Sequence, residues 1–228
     1  MKPVLSVFLM AYNEAGSIEA TASEMIGGLL SLGQPFEFII IDDGSTDETP
    51  EKAEIIASSY ENTRVVRHGN NMGLGGVYRT GFSEAEGEFV TFFPADGQFP
   101  VSIIGEFFGA IKDNDMVLGY IPGRKSSILA KGLSAVEKAI YGMLFGRLPK
   151  FQGILMFRRS LLDEFTLVSS GRGWAVLMEL IIRTKRAGKS IKCMPTSMRQ
   201  RGSGVSKVNN LPTIFDNLKQ VIALRRYL

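Results

Sequence analysis

The chain has 228 residues, 45% of them hydrophobic, and 26 Lys/Arg stand against 23 Asp/Glu for a formal charge of +3. That apolar content suffices for a core and excludes a disordered chain, while a single cysteine, Cys193, and a single histidine, His68, exclude a disulfide framework, a cysteine zinc cluster and a His–His metal site. The small net charge conceals a segregation: residues 1–115 hold 18 Asp/Glu and 6 Lys/Arg, residues 116–228 hold 5 and 20, so the second half is expected to meet an anionic partner such as a phosphate, a nucleic acid or a membrane surface.

Taken in chain order, the first half alternates short apolar runs with amphipathic stretches. Val4–Met10, Phe36–Ile41, Arg64–Val66, Phe89–Phe93 and Met116–Leu118 are β-branched or aromatic and read as buried strands. Between them, Ser17–Leu32, Thr49–Tyr60, Gly73–Glu86 and Val101–Lys112 read as helices, and Pro50 suits a first helical turn. The alternation predicts an α/β protein with a mostly parallel, doubly wound sheet. In the second half, Ser126–Phe145 and Trp174–Arg186 are expected to be helices, Ile154–Phe157 and Ser190–Met194 strands, and Arg199–Asn210 a polar loop. Leu211–Leu228 reads as a last helix, apolar on one side. A lone Lys2 before the first apolar run makes a poor signal peptide, and no window of roughly 18 apolar residues predicts a transmembrane helix.

Three polar clusters directly follow predicted strands: Tyr12-Asn13-Glu14, Asp42-Asp43-Gly44-Ser45 and Asp96-Gly97-Gln98. If those strands are parallel, all three clusters share the rim where open α/β sheets bind ligands. Asp42 and Asp43 can accept hydrogen bonds from a base and a ribose, although such residues also build ordinary turns and helix caps. Asp96 and Gln98 can share one hard cation, because Mg²⁺ needs only one or two carboxylates when waters and phosphates complete its shell. Gly73-Leu74-Gly75-Gly76 matches neither the dinucleotide nor the Walker pattern, so close helix packing is the expected use of its glycines. His68 is expected in a loop and Cys193 in a core. The stretch from Arg199 to Lys207 has the donors that a diphosphate needs, and equally the composition of a solvated basic loop.

Together these pieces resemble family 2 glycosyltransferases with the GT-A fold, and within them the dolichyl- or polyprenyl-phosphate sugar synthases. The resemblance runs from Met10-Ala11-Tyr12-Asn13-Glu14 through Ile41 to Asp47, Asn71 to Gly75, Arg79 to Phe82 and Ala95-Asp96-Gly97-Gln98, and on to Arg199–Lys207. It implies one GT-A domain over 1–228: a nucleotide- and metal-binding half at 1–115, an acceptor-binding half at 116–210 and an amphipathic C-terminal helix at 211–228. It implies that Tyr12, Glu14, Asp42 and Asp43 hold the nucleoside, and that Asp96 and Gln98 hold Mg²⁺ or Mn²⁺. Arg199, Ser206 and Lys207 would close on the diphosphate, with Asp96, Arg199 and Lys207 as the catalytic set, and Arg124 and Lys131 would receive the acceptor phosphate.

The implied reaction is inverting transfer from a UDP- or GDP-sugar to a lipid phosphate by a protein lying peripherally on an anionic membrane, at its cytoplasmic face. A nucleic-acid partner is not expected. Two departures stand out. Pro94 occupies a position where the family usually has an acidic residue, and Lys150 to Ile154 replaces its usual acceptor segment. Two alternatives follow: a hydroxyl acceptor, for which Glu179 is a candidate base, or a non-catalytic nucleotide- or lipid-binding module with a degenerate metal site.

Overall fold

The computed structural model describes residues 2–123, 140–199 and 211–227, with side chains in the last segment from residue 217. Seven strands form one sheet: β1 Leu5–Ala11, β2 Phe36–Asp42, β3 Thr63–Arg67, β4 Phe89–Pro94, β5 Met116–Tyr120, β6 Leu155–Arg158 and β7 Ile191–Pro195. Their order is β3-β2-β1-β4-β6-β5-β7. Every pairing is parallel except those of β6, which runs antiparallel to β4 and to β5. The helices are α1 Ile18–Ser31, α2 Thr49–Ser59, α3 Gly73–Glu84, α4 Ser102–Ile111, α5 Ser160–Glu164, α6 Ala175–Arg186 and α7 Leu211–Leu224. Residues 140–145 are also helical.

The period of two along β1 explains the layers. Leu5, Val7, Leu9 and Ala11 join a core with Met25 and Ile26 of α1, Ala53 of α2 and Phe107 of α4. Phe8 points the other way, to Tyr78 and Phe82 of α3 and Leu180 of α6. Complete burial of a side chain such as Phe8 is worth about 1.5–3 kcal/mol, and its ring meets Tyr78, Phe82 and Phe92 at centroid distances of 6.5, 6.2 and 5.4 Å. A third cluster joins Tyr141 and Phe145 to Ile182 of α6 and to Val221 and Leu224 of α7, so α7 lies outside α6.

The strand order reverses between β1 and β4, a topological switch point, and β1, β2 and β4 run in one direction. Their carboxyl ends therefore share one rim, as the sequence pattern requires. Two features escaped the pattern. Helix α5 has five residues, too few for a 3.6-residue period to register. The direction of β6 is invisible in a short apolar run. Of the expected helix Ser126–Phe145, only residues 140–145 are described.

Candidate functional site

The loops after β1 and β2 are locked together. Asn13 adopts φ 50°, a left-handed conformation that asparagine tolerates. From there its N–H donates to Ser45 Oγ at 2.8 Å, and its Oδ1 accepts from Thr46 N at 2.8 Å. Glu14 N donates to Thr49 Oγ1 and Ala15 N to Asp47 Oδ2, at 2.8 and 3.2 Å. Burial works against ionisation of Asp47, but hydrogen bonds from Thr49 and Ala15 prevail and hold its carboxyl below the usual range. Ser45 and Asp47 thus build the turn, the bland reading of such residues.

Asp42 and Asp43 are both buried. Asp42 Oδ1 accepts from Ser45 N at 3.1 Å, and Oδ2 lies 3.3 Å from Arg67 Nε without hydrogen-bond alignment. Asp43 Oδ1 meets His68 Nδ1 at 2.7 Å and accepts from Met72 N at 2.8 Å, while Oδ2 accepts from Gly73 N at 2.8 Å. An ionised carboxylate only accepts, so His68 Nδ1 carries the proton. The other ring nitrogen contacts Thr80 Oγ1 of α3 at 2.8 Å. His68 is therefore a buried strut between Asp43 and α3, more than the loop residue expected. Gly44, at φ +71°, brings this turn against the next loop: a Cβ there would lie 2.7 Å from Asn70 C and 2.8 Å from Asn71 N.

These contacts enclose a cleft of about 530 Å³ lined by Tyr12, Gly44–Thr46 and Arg67–Asn71. Tyr12 stands in its wall. Asp42 and Asp43 lie behind the wall and shape it, and Glu14 is likewise outside the lining. Sequence reasoning missed Arg67, Asn70 and Asn71. Arg67 was available to it as the last residue of β3, on the same rim.

The turn after β4 carries the second group. Ala95 N donates to Met10 O at 2.9 Å, Gly97 takes φ +68°, and Asp96 Oδ1 accepts from Gln98 N at 3.1 Å. Arg199 reaches this turn from beyond β7, its N–H donating to Gln98 O at 2.7 Å. Asp96, Gln98 and Arg199 are thus neighbours. The Arg199 guanidinium, however, turns to Glu24 of α1 in a two-pronged bond of 2.7 and 2.8 Å. That hydrogen bond, opposed by partial burial, holds the Glu24 carboxyl below its usual range. Among the described residues no group of three or more His, Cys, Asp or Glu side chains gathers as a metal centre. Asp96 and Gln98 are hard oxygen donors, and one carboxylate oriented by a turn fits a cation whose other ligands come from a diphosphate. Ser206, Lys207, Arg124 and Lys131 lie outside the described residues.

Glu179 is completely buried in α6. It accepts from Val168 N and Ser169 N and from Arg183 at 2.8–3.0 Å. A carboxylate so occupied anchors a loop, and its engaged oxygens do not suit a base for a hydroxyl acceptor. Cys193 is only partly buried, at the flank of the second core cluster.

The family profile described as Glycosyl transferase family 2 matches residues 6–166. A dolichol-phosphate mannosyltransferase of Pyrococcus furiosus is 28% identical over 233 aligned residues, covering 98% of this chain and 64% of that protein. A dolichyl-phosphate beta-glucosyltransferase of Saccharomyces cerevisiae is 34% identical over 113 residues, covering 47% of this chain and 34% of that protein. The chain spans less than two thirds of the length of these relatives. Glucosyl-3-phosphoglycerate synthase from Mycobacterium tuberculosis, solved with Mn²⁺, UDP and phosphoglyceric acid, superposes with a TM-score of 0.71 at 21% identity, over 98% of this chain and 78% of that one. The likeness is one of fold, and the fold is the expected GT-A arrangement of a mostly parallel sheet flanked by helices.

Proposed function

Because the chain belongs to glycosyl transferase family 2, we propose that it transfers a sugar, with inversion, from a UDP- or GDP-sugar to a polyprenyl or dolichyl phosphate at a membrane surface. The observation that carries this reading is the cleft over the carboxyl ends of β1, β2 and β3, walled by Tyr12, Arg67 and Asn71, on the same rim as the Asp96 turn after β4. Tyr12 offers a flat ring to a base, and Arg67, Asn70 and Asn71 offer donors and acceptors to its edge. Its place beyond the carboxyl ends of parallel strands suits a nucleotide.

Asp96 and Gln98 would hold Mg²⁺ or Mn²⁺. Such an ion, when bound, neutralises charge developing on the departing diphosphate. Arg199 would add to that by exchanging Glu24 for phosphate oxygens, an exchange of one oxyanion for another. The absence of an acidic side chain at Pro94 leaves Asp96 as the principal anionic ligand.

The acceptor assignment draws on the relatives named for dolichol phosphate. It is supported by the engagement of Glu179, since a phosphate is already anionic and needs no base, whereas a hydroxyl does. Ile222 and Tyr227 are exposed in the stretch that holds Arg225 and Arg226, and Met143 is exposed on the helical stretch 140–145 whose Tyr141 and Phe145 pack with α7. Apolar side chains flanked by arginines suit an anionic bilayer surface. No helix of the described residues is long and apolar enough to cross a membrane. We place the protein peripherally, at a cytoplasmic face.

A donor screen tests the reading. UDP- and GDP-hexoses are incubated with the protein, with and without polyprenyl phosphate and Mg²⁺ or Mn²⁺, and lipid-linked sugar is measured. Formation of lipid-linked sugar from one donor class supports it. Nucleotide binding without turnover on any donor would favour the non-catalytic alternative.

A further inference from the structure

We infer that Gln220 and Asn217 of α7 are positioning residues for the nucleotide cleft, acting through the segment 168–175. The inference rests on the nucleotide reading of that cleft. Gln220 Oε1 accepts from Gly171 N at 2.8 Å, and Asn217 Oδ1 accepts from Ala175 N at 3.0 Å. A Cβ on Gly171 or Gly173 would overlap these two side chains, so α7 rests directly on glycine backbone.

The opposite side of the same segment rests on α3 and, through Arg172, reaches the wall of the cleft. Gly75 N donates to Arg172 O at 2.9 Å. A Cβ on Gly75 would lie 2.0 Å from Gly171 O and 2.7 Å from Gly173 O, both backbone atoms. Arg79 Nη1 donates to Gly171 O at 3.0 Å, and burial lowers the basicity of that guanidinium. Arg172 Nη2 donates to Asn71 Oδ1 at 2.6 Å, and Asn71 lines the cleft. The two residues after Asn71 are those whose N–H groups bind Asp43. Glu179 fixes the near end of the segment through Val168 and Ser169.

Backbone therefore meets the backbone of α3 on one side and two amide side chains on the other, Asn217 buried and Gln220 partly buried, and the Arg172 side chain carries the contact on to Asn71. Close-packed contacts of this kind transmit displacement. The second half of the chain thereby sets one wall of a site that otherwise belongs to the first.

The test is calorimetric titration of UDP and of GDP, each with Mg²⁺, into the unsubstituted chain and into Gln220→Ala, Arg172→Ala and the double variant, with thermal unfolding measured alongside. Each single change should weaken binding roughly three- to tenfold, and the double should be no weaker than Arg172→Ala, because the two residues act in series. Gln220→Glu, which keeps the accepting oxygen, should restore affinity. Leu224→Ala, one turn further along α7 and part of its apolar cluster, makes none of these hydrogen bonds; it should lower Tm and spare affinity. Affinity within about twofold of the unsubstituted chain in Gln220→Ala, losses that multiply in the double variant, or equal loss in Leu224→Ala would each overturn the inference. Absence of UDP and GDP binding by the unsubstituted chain would overturn the nucleotide reading as well.

Discussion

The two halves of the chain carry opposite charge excesses, and they differ in which charged groups the fold engages. In residues 1–115 only Asp42 and Asp43 among the carboxylates are buried, and the rim carboxylates are tied into the loops. Asp42 serves Ser45 N, Asp43 serves Met72 N, Gly73 N and His68, and Asp47 serves Thr49 and Ala15 N. In the second half the described cations are mostly outside, as with Arg225 and Arg226, or touch carbonyls, as Lys185 does at Arg147 O. On the rim, an anionic donor meets Asp42 and Asp43 already buried and engaged by the fold. Asp96, by contrast, is half-buried at the end of β4.

Substitutions can break this contrast. The largest effect is expected at Asp43→Ala, which leaves the buried His68 ring and the partly buried Met72 N and Gly73 N without their partner and should cost about 3–5 kcal/mol in denaturant unfolding, with loss of nucleotide binding. Asp96→Ala should act on chemistry instead: transfer falls about 100- to 1000-fold while the unfolding midpoint barely moves. Equal stability losses at Asp43 and Asp96 would dissolve the distinction between shaping and reacting carboxylates. Gly44→Ala forces a side chain into a left-handed position against Asn70 and should destabilise by about 1–3 kcal/mol while weakening nucleotide binding. The smallest effect concerns Glu24. Its carboxyl is held low by Arg199, so the tie contributes fully above the ordinary carboxylate range and is lost as pH falls through the lowered value. Thermal unfolding between about pH 7 and pH 3 should show a shallow acid decline that Glu24→Gln diminishes.

Much of the first half was legible in the sequence. Strand runs such as Phe36–Ile41 and Phe89–Phe93 and the polar clusters after them obey periodicity and position alone, and the structure puts those clusters on one rim. What the sequence hid was which carboxylates face the cleft. Adjacent Asp42 and Asp43 look interchangeable as letters, yet their partners come from Arg67, His68 and Gly73, fixed only once β3 pairs with β2. His68 stands in a loop, as expected, but a loop position carries no mark of burial. Glu179 looked like a spare carboxylate until the 168–175 segment folded over it. Long-range contacts of this kind leave no local pattern.

The central claim is that the reacting group on the acceptor is a phosphate. The direct measurement compares polyprenyl phosphate with the corresponding polyprenol as acceptors under one donor and one divalent ion. The account predicts sugar transfer to the phosphate and none to the alcohol. Equal transfer to both, or transfer to the alcohol alone, would contradict it.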